Sequence, residues 1–567
     1  MQRFRVWGTL GLAFWLAGWS VVSTVHAAQP ADGVPDSASL VVRWKAPRTT
    51  ADKLADFVDA VQPGFGGFVK AGLPAAGDPI GIPGLGGVDL SQDIWLIVFA
   101  ESGGEPPSVV FMVTAKDVEA LKDALDDKYE SHTADKLVIY SEDEEALGKV
   151  RDQLKSKDSA LFSKIDVASK KLLDTSDLSL LVNVRQLTEE FEDELKEAEP
   201  QIDAFLDQIS NAIPDAQRDQ LAPVFEMYGE LAKASLQCAR DSNSVALGIT
   251  FSKAAIRYES RLQVTEKSAM AGFLAKQSPA ALGLLGRLPA NQAIYFGVKA
   301  DMAGLIDWSM KLTKGMMKLS DEDSAKMDEA VKELGKLKYD EMAGYLNINS
   351  AAPAFRSGSV MQVTPTKRMR ELSHTMLKAM SKVELPGMTQ TTTLEPGAEK
   401  IGGVEVDRIT IKQEADGSND PLGIQEKIQK ILFGDDGMQQ LAMYQPNRVL
   451  QIMGGGKTEL QSLITTLDAT PSTGSAVAAA RQKLAEKANL VALIDLARLI
   501  INGAKLAASD GGLPIDVSAL EALKLDPSFI GVSVTCEPTA VRSQLEIPVA
   551  QAQNIAKIIA PLVKAAQ

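Results

Sequence analysis

Apolar and polar residues alternate along short segments of this chain, and the alternating segments recur. From Ala255 to Thr265 (AIRYESRLQVT), Ile256, Tyr258, Leu262 and Val264 fall on one face, and Arg257, Glu259, Arg261 and Gln263 on the other. That is the period of a half-buried antiparallel strand. Two further segments align with it without gaps, Ala354 to Thr364 (AFRSGSVMQVT) and Ala540 to Ala550 (AVRSQLEIPVA). Each follows a short apolar run, starting at Val245, Glu341 and Phe529, and each precedes a helical pattern. A weaker copy runs from Asp93 through the Gly103–Pro107 turn into Ser108–Thr114 and a helix from Ala115 to Leu125. Every copy reads as a β-hairpin followed by a helix.

Upstream of each hairpin stands a strand-then-helix pattern, beginning at Leu40, Ser179, Ala293 and Asn489. A single extra strand-helix follows the first unit at Lys136 and the third at Asn447. The predicted fold is therefore α+β: tandem duplicated halves, each of two βαββα modules with antiparallel sheets covered by helices. The halves span residues 38–278 and 290–563, with the boundary between Gln277 and Ala290. Two inserts differ in kind. Pro63 to Val88 is dense in glycine and proline and carries Phe65, Phe68, Ile80 and Ile82, an apolar loop. Residues 188–239 form a helical hairpin. Leu187, Phe191, Leu195, Ala198, Ile202, Phe205 and Ile209 step by three and four, and Leu221, Val224, Phe225, Tyr228 and Leu231 repeat the pattern. Pro200 is expected to kink the first helix, and Gln413 to Asp420 to be a polar surface loop.

The N-terminus reads as a secretory signal over residues 1–27. Arg3 and Arg5 are followed by an uncharged stretch to Val25, and Val25-His26-Ala27 ends it with a small residue. Cleavage after Ala27 or Ala28 is the favoured reading, with a retained anchor as the alternative. No later stretch is apolar for long enough to cross a membrane, so no stable span is expected after cleavage. The chain has 567 residues, 45% hydrophobic and 23% charged, which excludes disordered, collagenous and disulfide-scaffold classes. Its formal charge of −15 argues against nucleic acid as a partner. Cys238 and Cys536 are the only cysteines. An oxidising compartment permits a bridge between them, and two free thiols are the alternative.

Reactive chemistry has little to work with. Gly454-Gly455-Gly456-Lys457-Thr458 sits between a strand and a helix, as a phosphate-binding loop would. Gln451 stands where the first glycine of that motif belongs, so a glycine-rich turn with Thr458 at the helix start is the simpler reading. His132 lies in a polar stretch and His374 mid-helix, and neither has a histidine at i+4. No G-x-S-x-G elbow exposes a serine. The run Glu189, Glu190, Glu192, Asp193, Glu194, Glu197 and Glu199 reads as a solvated acidic face rather than a calcium site. Arg257, Arg356 and Arg542 share one strand position in three modules. Cross-strand ion pairs are the favoured reading, and a row that binds an anionic polymer is the alternative. No cofactor, metal or catalytic residue is expected.

The early strand, the hairpin-helix modules and elements such as LVIYSEDEEALGKV from Leu137 give the chain its overall pattern. In these it resembles a family of exported bacterial proteins known only as a domain of unknown function. The resemblance implies location and architecture, and no activity. The expected function is that of an exported, periplasmic or extracellular, non-catalytic binding or structural component of the bacterial envelope. Alternatives are a carrier of an apolar ligand, or a hydrolase using carboxylates or a Ser-Lys pair. The partner is an envelope protein or an apolar ligand. Phe191, Phe205, Phe225 and Tyr228 on the hairpin, with Phe65 and Phe68, form the candidate interaction surface, because they are more than a two-helix hairpin and its neighbouring loop can hide.

Overall fold

The structure is a computed structural model of the chain. It describes residues 30–566 apart from 104, 157–159, 214, 307–308, 311–318, 351–352, 386–387, 416–423, 470–474, 510–518 and 521. The signal segment and residues 416–420 of the expected loop lie outside the described residues. The chain is α+β, with extensive antiparallel sheet and helices. It divides into two compact units.

The first unit comprises residues up to Ala198, Ser235–Ala275 and Glu537–Gln553. Its strands are β1 (Leu40–Trp44), β2 (Ile94–Phe99), β3 (Ser108–Thr114), β4 (Glu130–Ala134), β5 (Leu137–Ser141), β6 (Leu178–Val182), β7 (Ser242–Phe251) and β8 (Ala255–Val264). They pair antiparallel in the order β4-β5-β3-β2-β1-β6-β7-β8. β1 is central, with Val41 opposite Ile97 on one side and Leu181 on the other. Successive residues of β3 and β5 serve opposite faces. Val110, Met112 and Ile139 join Ala146, Leu147 and Val150 of the helix Glu144–Ser156. Phe111, Val113, Val138 and Tyr140 join Leu73, Ile80, Ile82 and Leu85. The glycine- and proline-rich insert thus covers the second face, and the middle of this sheet is buried on both sides. Where alternation predicts one covered face, β5 buries all five residues.

The second unit comprises Glu199–Ala234, Lys276–Cys536 and the chain from Asn554. It contains β9 (Ile294–Val298), β10 (Lys338–Ile348), β11 (Phe355–Thr364), β12 (Lys382–Leu385), β13 (Met388–Ile401), β14 (Val404–Ala415), β15 (Met438–Gln445), β16 (Arg448–Met453), β17 (Leu490–Ile494) and β18 (Ile530–Glu537). The antiparallel order is β12-β13-β14-β15-β16-β11-β10-β9-β17-β18. Tyr295, Tyr345, Val360, Leu450 and Ile452 pack with Leu460, Leu463 and Leu467 of the helix Gly456–Asp468. Val363 and Val449 face Leu334 and Leu372 on the other side. The last strand, β19 (Ala540–Pro548), belongs to the first unit, where it pairs antiparallel with β8.

Several local expectations are corrected. Gln413 to Ala415 end β14 rather than opening a loop. His132 sits on the edge strand β4, half-buried, and not in a loop. Pro200 lies inside the helix Glu192–Ala212, and the interruption falls instead at Phe191 (φ −105°, ψ 29°), after the helix Val184–Glu190. A proline lacks only its own N–H, so a helix whose carbonyl four residues back turns outward tolerates it more easily than a residue that leaves helical dihedrals.

Candidate functional site

The helical hairpin begins on a buried anchor. Asn183 caps the helix Val184–Glu190 by accepting from the Gln186 N–H, while its Nδ2 donates to the carbonyls of Asp36 (2.9 Å) and Ala38 (3.0 Å). Glu190 and Glu194 accept from the backbone N–H groups of Ser102 (3.0 Å) and Gly103 (3.4 Å). Part of the acidic run therefore holds the β2–β3 turn. Lys196 pairs with Glu192 at 2.8 Å.

The helices Glu192–Ala212 and Asp215–Arg240 run antiparallel. Arg240 Nη2 donates to the Leu195 carbonyl (2.9 Å), Lys233 pairs with Asp203 (2.9 Å), and Arg218 Nε donates to the Ser210 carbonyl (2.9 Å). Gly229 admits Leu206, whose Cδ1 would stand 3.0 Å from a β-carbon there. With about 100° between residues, Leu206 and Gly229 face each other and the Asp203–Lys233 pair lies to one side. Phe205 and Tyr228 then fall together on the other side. They are 59% and 56% exposed, and Leu231 is 39% exposed. Phe191 and Phe225 are half-buried. The structure thus divides the candidate residues: Phe191 and Phe225 are partly covered, and Phe205 and Tyr228 are presented to solvent. Phe65 and Phe68 form a separate exposed pair on and beside the helix Gly66–Gly72, with ring centroids 5.7 Å apart and exposures of 47% and 73%.

The remaining motifs resolve into structural contacts. Gly454 and Gly456 adopt φ of 87° and 63°, and a β-carbon on Gly454 would lie 2.3 Å from the Phe355 carbonyl oxygen. The turn needs glycine for its own geometry. The helix starts after Gly455 rather than at Thr458. The Glu459 carboxylate folds back over this start, close enough that a β-carbon on Gly455 would meet it, and accepts from the Tyr345 hydroxyl at 2.8 Å. A carboxylate there repels phosphate. Each of the recurrent arginines is paired: Arg257 with Glu546 (2.6 Å), Arg542 with Glu259 (3.0 Å) and Arg356 with Glu459 (3.7 Å). Cys238 and Cys536 are both free thiols, and burial pushes the Cys536 thiol up. Among the described residues no three His, Cys, Asp or Glu side chains converge as metal ligands.

One charged centre escapes sequence reading. Asp407, 1% exposed, accepts from Arg370 Nε (2.9 Å) and Nη2 (2.5 Å), His374 Nε2 (2.6 Å) and the Gly397 N–H (2.8 Å). Arg370 also pairs with Glu405 (3.1 Å) and lies over the Tyr444 ring. Burial pushes the Asp407 carboxyl up, but the hydrogen bonds from Arg370, Gly397 and His374 outweigh it and hold it below its ordinary range. The signal in the sequence is Arg370 and His374, four residues apart on one helix face. With its acceptor sites taken, Asp407 ties the helix Thr366–Ala379 to β13 and β14. Replacement by alanine should cost about 3 kcal/mol, because it removes the shared buried acceptor of Arg370, His374 and the Gly397 N–H and leaves Arg370 with Glu405 alone. Since the folded carboxyl titrates lower than the unfolded one, this contribution is complete above about pH 4 and is lost as pH falls further. Denaturant curves of the two proteins should therefore differ most at pH 7 and draw together as pH falls below about 4. A difference that persists unchanged in acid would rule out the carboxylate as its source.

The fold and these contacts define an α+β protein on antiparallel sheets, with an exposed helical hairpin. No protein-family model, no curated protein and no solved structure matches the chain. No helix among the described residues is long and apolar enough to cross a membrane.

Proposed function

We propose that the chain is an exported, non-catalytic binding or structural protein of the bacterial envelope, and that its helical hairpin contacts an envelope protein. The observation that carries this reading is the pair Phe205 and Tyr228, more than half exposed on one side of two well-registered helices. Leaving such side chains in water forgoes roughly 1.5–3 kcal/mol of burial each, and clustered exposed apolar residues mark interaction sites. The carrier reading draws less support. Phe65 and Phe68 stand on the surface, while Ile80 and Ile82 fill the space beneath the insert.

The same proposal includes export by the N-terminal signal, the kinship with the exported family of unknown function, and a tandem duplication. In support of the last, the order β4-β5-β3-β2-β1-β6-β7 in the first unit matches β15-β16-β11-β10-β9-β17-β18 in the second. N-terminal sequencing of the exported protein should find it starting near Ala28. Recovery of Met1 or Gln2 in that pool would favour a retained anchor. Capture from envelope extracts with the tagged chain, beside a Phe205→Ser, Tyr228→Ser variant, tests the hairpin. Equal recovery of the same protein by both would sink the reading.

A further inference from the structure

We propose that residues Glu537–Gln553 form an electrostatically latched strap, which separates from β8 as a unit of its own before the rest of the first unit opens. The residues on either side of it, to Cys536 and from Asn554, belong to the second unit, so the strap is not continuous in sequence with the rest of the first. β19 meets β8 over nine opposed pairs, from Ala540 opposite Gln263 to Pro548 opposite Ala255. Within β19 the buried side chains are Ala540, Gln544, Glu546 and Pro548. The inward contribution is thus a methyl group, an amide, a carboxylate and a small ring. β5 in the same unit buries all five of its side chains, four of them apolar or aromatic.

The seam is closed by the backbone ladder, by charge, and by three apolar pairs that stay only half-buried, Val541 with Leu262, Leu545 with Tyr258 and Ile547 with Ile256. Arg257 reaches Glu546 at 2.6 Å, and Arg542 reaches Glu259 at 3.0 Å. Gln544 Nε2 donates to the other Glu259 oxygen at 3.0 Å, and the Ser260 and Ser543 hydroxyls bond to each other. Arg261 bridges Glu537 (2.7 Å) and Asp166 (2.9 Å). The pattern has a local two-fold character. Arg257 and Arg542 hold matching positions in the two aligned segments, and Glu259 stands opposite Gln544, its own counterpart. Beyond the strand, Val549 N–H donates to the Ala254 carbonyl (2.8 Å) and Gln553 Nε2 to the Ala60 carbonyl (2.6 Å).

Ion pairs with one partner about 40% exposed are weakened by salt, whereas apolar burial is not. A seam held this way opens at lower free energy than the core strands, as a separate cooperative piece.

Hydrogen exchange on the full chain tests the strap, in about 20 mM and about 0.5 M sodium chloride. High salt should speed exchange of the β19 amides, and of the β8 amides bonded to them, by about tenfold, while β5 amides change by less than about twofold. Arg257→Glu and Glu546→Arg should each speed the same amides at low salt, and the two combined should restore rates to within about threefold of the unmodified chain. The proposal is overturned if β19 exchanges at the rate of β5 in both salts, or if the swapped pair exchanges as fast as the single variants. Should a single variant fail to fold, the salt comparison on the unmodified chain still decides.

Discussion

Replacing Tyr140 by alanine is expected to cost the first unit about 3–5 kcal/mol. The ring is fully buried in β5, stacked on Phe111 with centroids 5.1 Å apart and meeting Tyr129 edge-on at 5.3 Å. Its hydroxyl donates to the Ile80 carbonyl at 2.7 Å, which pins the glycine-rich insert to the sheet. Burial pushes the phenol well above its usual range, so it remains a donor at any ordinary pH. The insert has little room to adjust around the loss. Gly81 adopts φ of 75°, and a β-carbon there would fall 2.2 Å from the Tyr129 ring. Alanine removes the ring, both aromatic contacts and the donor together. Phenylalanine removes only the donor and should cost about 1 kcal/mol. Denaturant unfolding followed by tryptophan fluorescence can compare the variants, because Trp44 and Trp95 both lie in this unit's core. Equal costs for alanine and phenylalanine would mean that the aromatic cluster contributes nothing and the insert is held elsewhere.

The second large effect is expected on binding rather than on stability. Phe205 and Tyr228 are more than half exposed, so serine at both should move the unfolding free energy by less than about 0.5 kcal/mol per site. If the hairpin contacts a partner through them, losing two aromatic anchors should weaken the complex by at least about 2 kcal/mol, or about thirtyfold. Phe225→Ser provides the contrast. That ring is half-buried within the hairpin, so its replacement should lower stability by about 1–2 kcal/mol. Titration of the captured partner against each variant, beside thermal melts, separates the two outcomes. A stability loss from Phe205→Ser comparable to that from Phe225→Ser would mean that the exposed rings are structural.

Most of the strands and helices were legible from the order of apolar and polar residues alone. The apolar runs at Leu40–Trp44 and Ser108–Thr114, the alternation in Ala255–Val264 and the three-four stepping from Leu187 onward locate elements, but not which side chains are buried: in Ala255–Val264 the structure buries Arg261 and leaves Ile256, Tyr258 and Leu262 half-exposed. The surplus of aromatic residues on the hairpin was legible as well, since it needs only a count of what two helices can cover. The rest depended on the tertiary structure. β4 and β13 carry ESHTA and MTQTTTLEPGAEKI, held by backbone bonds to a neighbour with little burial to mark them. The division between partly covered Phe225 and presented Phe205 depended on the phase between two helices, which Leu206 against Gly229 sets. Asp407 looks like any other carboxylate until β13 and the helix Thr366–Ala379 bring a backbone N–H, Arg370 and His374 around it. The pairing of β19 with β8 joins residues nearly three hundred positions apart. No local pattern encodes a partner at that distance, because strand pairing is chosen by the surface each edge offers once the sheet already exists.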